Sequence, residues 1–227
     1  MLKHAHWSLV VLLLSAAPAL AEGDKKFSIK TATTEPPKEV DPSIRKLLGN
    51  QSIQFLDAAG MLIGELWFCK VLSADATPEQ LKNGITYREL KETGLVGVVR
   101  YDQAWHDYRK QKVKTGVYTL RLGFQPGDGD HAGRSMYTEF LVLTAASKDT
   151  KTDLLPIKML LNMSAKSIET SHPAVLMLFP NNKPGKTPEL ADKGNNHWVL
   201  NVACPVESGG ARATIGFGLT MEGEADD

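Results

Sequence analysis

Cysteine is scarce in this chain: Cys69 and Cys204 are the only two in 227 residues. Two thiols cannot make the disulfide framework of a small secreted scaffold. A mature chain of about 206 residues has no need of one, since it buries roughly 70% of its extended surface. Both cysteines lie in apolar, strand-like segments, Leu66–Cys69 and Val202–Cys204. They read as buried hydrophobes or, in an oxidising compartment, as a disulfide. Excess charge is missing too: Lys+Arg and Asp+Glu each total 26. A balance so near zero provides no field for a nucleic acid backbone or an anionic membrane surface, so neither is expected as a partner. Catalytic signatures are also lacking. No Gly-x-Ser-x-Gly elbow, His-Glu-x-x-His helix or Cys–His arrangement occurs, which removes the common nucleophile and zinc motifs.

Long apolar runs are limited to the start. Lys3 precedes an apolar stretch from Trp7 through Ala17, and Ala19-Leu20-Ala21 supplies the small-x-small ending of a cleaved leader. The run is too short to span a bilayer, which takes ~20 apolar residues. It has no twin-Arg pair and no lipid-bearing Cys at the cleavage point. The expectation is a signal peptide over 1–21 and export to the periplasm or the exterior, with no membrane span left after cleavage. Residues 22–50 are polar and punctuated by Pro36, Pro37 and Pro42. With little apolar surface to offset ordering entropy, they read as a loosely draped arm.

From residue 51 to 222 the pattern is that of strands in a single domain, followed by an acidic tail over 223–227. Ile53 and Phe55 alternate with polar neighbours, Asp57-Ala58-Ala59-Gly60 supplies a turn, and Met61–Cys69 returns, which predicts a hairpin. Thr77-Pro78-Glu79-Gln80 carries the cap and first-turn chemistry of a short helix that Gly84 ends. Pro156–Lys166 has apolar residues at helical spacing. Tyr118, Leu120, Leu122 and Phe124 alternate with Thr119, Arg121 and Gly123. Seven or eight strands with one or two short helices predict an antiparallel β-sandwich in the immunoglobulin or transthyretin style.

Lys114-Thr115-Gly116-Val117-Tyr118-Thr119-Leu120 places a Gly two residues ahead of a strand-starting Tyr. This resembles the tyrosine corner of immunoglobulin-like sandwiches, where the phenol ties back to upstream backbone. Together with Gly127-Asp128-Gly129-Asp130-His131, it resembles a poorly characterised group of exported bacterial β-sandwich proteins carrying a K-x-G-x-Y-T-L strand and a G-D-G-D-H loop. That resemblance implies a fold and brings no activity.

The chemically richest loop holds Asp128, Asp130 and His131. Alternate carboxylates among glycines suit Ca²⁺, though no third acidic ligand follows at the next alternate place. His131 suits a transition metal, with His106, His172 or His197 as distant partners. The bland alternative is a loop whose side chains cap their own backbone. Trp105 and His106, flanked by polar residues, form the second candidate surface; Trp105 is expected to be exposed and Trp67 to be core. The leading expectation is therefore an exported, non-enzymatic envelope protein that binds a ligand or partner or serves structurally, with no cofactor. The rivals are a metal-binding protein centred on Asp128–His131 and a hydrolase with a dispersed His/Asp site around His106, Asp107 and His131.

Overall fold

The computed structural model describes residues 26–125 and 135–224. In chain order the elements are β1 (Phe27–Thr33), α1 (Pro42–Leu47), β2 (Leu48–Asp57), β3 (Leu62–Cys69), β4 (Leu72–Ser73), α2 (Pro78–Asn83), β5 (Leu95–Tyr101), β6 (Trp105–His106) and β7 (Lys112–Val113). There follow β8 (Gly116–Phe124), β9 (Glu139–Ala145), α3 (Ile157–Ile168), β10 (Ala174–Pro180), β11 (Glu189–Asp192), β12 (Trp198–Ser208) and β13 (Ala211–Glu222). The fold is mostly β, and its described helices number three where one or two were expected.

β6 and β7 pair only with each other, in a two-stranded sheet of their own. The other eleven strands follow one hydrogen-bonded path, β1-β2-β3-β5-β8-β9-β10-β13-β12-β11, with β4 parallel to β12 off it. The bend comes at β10, whose Ala174–Met177 half pairs with β9 and whose Leu178–Pro180 half pairs with β13. A strand that changes partner midway makes a corner. The sheet thus curls into a half-barrel. Leu66, Leu120, Leu143 and Leu176 of one lobe share a core with Leu200, Phe217 and Leu219 of the other.

Short of Leu178, β10 has no β13 partner, and its backbone groups need other ones. The loop at Asp107–Gln111 supplies them. Val175 N donates to Asp107 Oδ2 at 3.0 Å, and the Val175 carbonyl accepts from Tyr108 N at 2.9 Å. Asp107 also accepts from the Arg109 and Gln111 amides and from Gln111 Nε2. Burial pushes its carboxyl above the ordinary carboxylate range. These bonds make it a structural clamp across the split in the sheet.

Residues 26–50 correct the expected arm. β1 pairs with β2 along its whole length, from Phe27↔Asp57 to Thr33↔Gln51. Asp41 caps α1 by accepting from Ser43 N, which buries Ile44. Phe27, Val40, Ile44 and Leu48 are all core residues. The segment is polar on average, but its few apolar side chains sit where the sheet needs cover.

Other local readings hold. The β2–β3 hairpin forms, with Asp57 accepting from Ala59 N and Met61 N across its turn. α2 carries a reciprocal capping box between Thr77 and Gln80. α3 runs two residues beyond the expected Lys166 and ends on Glu169 in the left-handed region. Tyr118 Oη donates to the Lys114 carbonyl at 2.9 Å, four residues upstream, around Gly116 at φ 145°. The phenol thus ties back to upstream backbone, and the positive φ is why glycine stands there.

Candidate functional site

The face of β8 that alternation assigns to polar residues is not open to water. Thr119 and Arg121 are both fully buried there, under the chain that runs from β9 into α3. Arg121 is the organising residue. Its Nε and Nη2 make a bidentate pair with Asp149 at 2.6 and 3.0 Å. Thr119 Oγ1 donates to the same carboxylate at 2.7 Å. The remaining guanidinium hydrogens go to backbone: Nη1 to the Thr93 and Asp153 carbonyls, Nη2 to that of Lys151. A buried charge is tolerable only when paired and fully hydrogen-bonded, and this one is. Three segments, β8, the turn at Lys91–Gly94 and the loop at Asp149–Leu155, are thereby tied to one side chain.

Thr93 shows that the tie is under tension. It is a β-branched residue at φ 63°, a conformation that costs about 1–3 kcal/mol and persists only where surroundings enforce it. The enforcement is visible. Thr93 N donates to Leu122 O, its carbonyl serves Arg121, and its Oγ1 accepts from Leu155 N at 3.0 Å.

These tied segments are two walls of an apolar cleft. The third wall is the end of α1 with the β3–β4 corner, joined by Lys70 N to Leu47 O at 2.8 Å and Lys70 Nζ to Lys46 O at 2.9 Å. The cleft has a volume of about 150 Å³; Cys69, Leu72, Leu90, Val96 and Leu122 lie at its base. Its mouth is formed by Leu47, Val71 and Leu154, exposed by 43%, 39% and 52%. Half of the exposed large apolar side chains in the described residues thus gather at one cleft, with Lys91 on its rim.

Cys69 and Cys204 are both free and buried. Burial pushes the Cys69 thiol up to about 12, although the nearby Arg121 charge pulls it down, and it raises Cys204 as well. Neither is a thiolate nucleophile at neutral pH.

The residues singled out from the sequence lie elsewhere. Trp105 is not an exposed platform: its ring packs edge-on against Phe27 and Phe55, and its indole N–H donates to Met221 O at 2.9 Å. His106 is exposed beside it on β6, while the carboxylate of Asp107 accepts from Val175 N and Gln111 Nε2. Asp128, Asp130 and His131 lie outside the described residues. On either side of them in the chain, Gln125 N donates to Thr138 O at 2.7 Å. Of the histidines named as metal partners, His172 is exposed and His197 is buried between the rings of Tyr108 and Phe179, its Nε2 without a hydrogen-bond partner. Among the described residues, no group of three or more His, Cys, Asp or Glu is placed to hold a metal ion. No described helix is long and apolar enough to cross a membrane.

Sequence reasoning missed the cleft altogether. Leu47, Val71 and Leu154 come from three distant segments, and nothing in periodicity marks them as neighbours; Arg121 read as one more outward polar residue. The chain matches no family model, and neither a curated protein nor a solved structure matches it.

Proposed function

We propose that this is an exported, non-enzymatic β protein of the cell envelope that holds a small apolar ligand group in the cleft between Leu47, Val71 and Leu154. The observation that carries this reading is the cleft itself. Three of the six large apolar side chains exposed among the described residues meet there, and a volume of about 150 Å³ matches that of an apolar cavity able to take benzene. The wiring of buried charge supports the non-enzymatic part. Asp107, Asp149 and Arg121 are each committed to backbone or to one another, and Glu65 is bonded by Ser52, Thr34 and Arg100. The immunoglobulin- or transthyretin-style sandwich is the finer reading of the fold, supported by the two lobes sharing one core. Export rests on the leader pattern, with Glu22 expected as the first residue of the mature chain.

Titrating the mature protein with toluene while following methyl resonances tests the cleft. Saturable shifts confined to the cleft, at Leu72, Leu90, Val96, Leu122 and Leu154, are expected; no shift at millimolar toluene would remove the binding reading. N-terminal sequencing that found Met1 would remove export. The second reading, a metal held by Asp128, Asp130 and His131, rests on their spacing in the sequence. Elemental analysis of the purified protein tests it: a stoichiometric metal lost in His131→Ala would put it first.

A further inference from the structure

The cleft has a second property that its apolar lining does not explain. The segments that form it carry Lys46 next to Leu47, Lys70 next to Val71, Lys91 on the rim itself and Lys151 next to Thr152, all exposed. Lys70 is drawn along the lip by its bond to the Lys46 carbonyl. The carboxylates on the same segments are fewer. Glu89 faces away into the Thr86 cap and Gln80, and Glu92 and Asp153 are exposed beside the lining residues Lys91 and Leu154 without lining the cleft themselves. The Arg121 charge below is neutralised by Asp149. Among the residues that line the cleft, Lys91 is the only charged one.

We propose that the cleft takes a small amphipathic anion: one apolar group of about benzene size seated on Leu72, Leu90, Val96 and Leu122, joined to a single carboxylate that stays at the lip beside Lys91. This rests on the cleft being a binding site and adds the chemical class of its ligand. The division of labour follows from desolvation. Burying the apolar group is favourable in proportion to its area, whereas a carboxylate is costly to dehydrate and gains most where it meets ammonium groups without leaving water. No basic side chain lines the base except Arg121 nearby, which is already paired, so the charge has no reason to enter.

The test uses the full mature chain and three probes of one shape: phenylacetate, its neutral amide phenylacetamide, and the cation 2-phenylethylamine. At low ionic strength phenylacetate is expected to bind about tenfold more tightly than the amide, with the amine weakest, and the gap should close in molar salt as exposed charges are screened. Lys91→Glu should abolish the preference for the anion and leave affinity for the amide unchanged. Leu154→Asp should weaken all three, and because Leu154 is exposed this variant should fold. Equal affinity for phenylacetate and phenylacetamide would overturn the proposal while leaving the apolar cleft standing. Toluene failing to bind at all would remove the cleft reading first. Phenylacetate binding that is insensitive to both Lys91→Glu and Leu154→Asp would place the anion elsewhere and overturn the proposal as well.

Discussion

The two ends of the half-barrel are both rich in apolar side chains, yet they use them in opposite ways. At one end, where β1 begins and β2 finishes, Phe27 and Phe55 stack at 5.1 Å. Trp105 and Trp198 then close over Phe27 edge-on at 6.0 and 5.6 Å. Trp105 is pinned there by its bond to Met221 O, so the strand end is sealed. At the other end, where β3 finishes and β5 begins, Leu47, Val71 and Leu154 remain exposed around a cleft. The contrast lies in what holds each end together. Aromatic packing fills space and is its own cover. The open end is held from beneath by the buried Arg121–Asp149 pair, which ties two walls of the cleft together.

Removing one partner from each end should produce the largest effects. Asp149→Ala leaves the Arg121 charge buried and unpaired, and such losses cost about 3–5 kcal/mol. A urea midpoint close to that of the wild type would show that the loop at Asp149–Leu155 is held by something else. Phe55→Ala, at the sealed end, should also cost about 3–5 kcal/mol through lost burial and a cavity. If instead it is tolerated to within 1 kcal/mol, the aromatic seal is not what closes that end.

Tyr118→Phe probes the connection between the ends, since Tyr118 packs edge-on against Tyr101 and bonds the Lys114 carbonyl. A loss of about 1 kcal/mol in chemical denaturation is expected, the usual worth of one such bond. An unchanged midpoint would remove the structural role of the tyrosine corner. Leu154→Ala should move stability by no more than about 0.5 kcal/mol, as substitutions at exposed sites do. A larger loss would mean that the mouth of the cleft is core, and the comparison between open and sealed ends would fail. The smallest expected signal is chemical. With its thiol pushed up to about 12, Cys69 should resist alkylation by iodoacetamide at neutral pH in the folded protein, and both cysteines should react fully in denaturant. Rapid labelling of native Cys69 would show that the base of the cleft opens to solvent.

Local chemistry was readable from the chain wherever a rule acts over a few residues. The capping box at Thr77 and Gln80, the Asp57–Gly60 turn, the helix after Pro156 and the Gly116–Tyr118 corner all depend on neighbours in sequence. The polar stretch before residue 50 was not readable in that way. Whether Val40 and Ile44 find cover depends on β2 and β3 lying beside them, which average composition does not reveal. Arg121 is the sharpest case. On a strand that alternates, an arginine belongs in water unless some remote residue meets it, and Asp149 lies 28 positions away.

By itself, then, the sequence determined the strand-rich character, the turns, the caps and the near-neutral charge, because each follows from residue type and short spacing. The tertiary structure alone decided that β10 would change partners and curl one sheet on itself, that Trp105 would seal an end, and that Leu47, Val71 and Leu154 would meet around a cleft framed by Arg121. Those outcomes are set by contacts between segments far apart in the chain, where the free energy belongs to the pair and to neither residue alone.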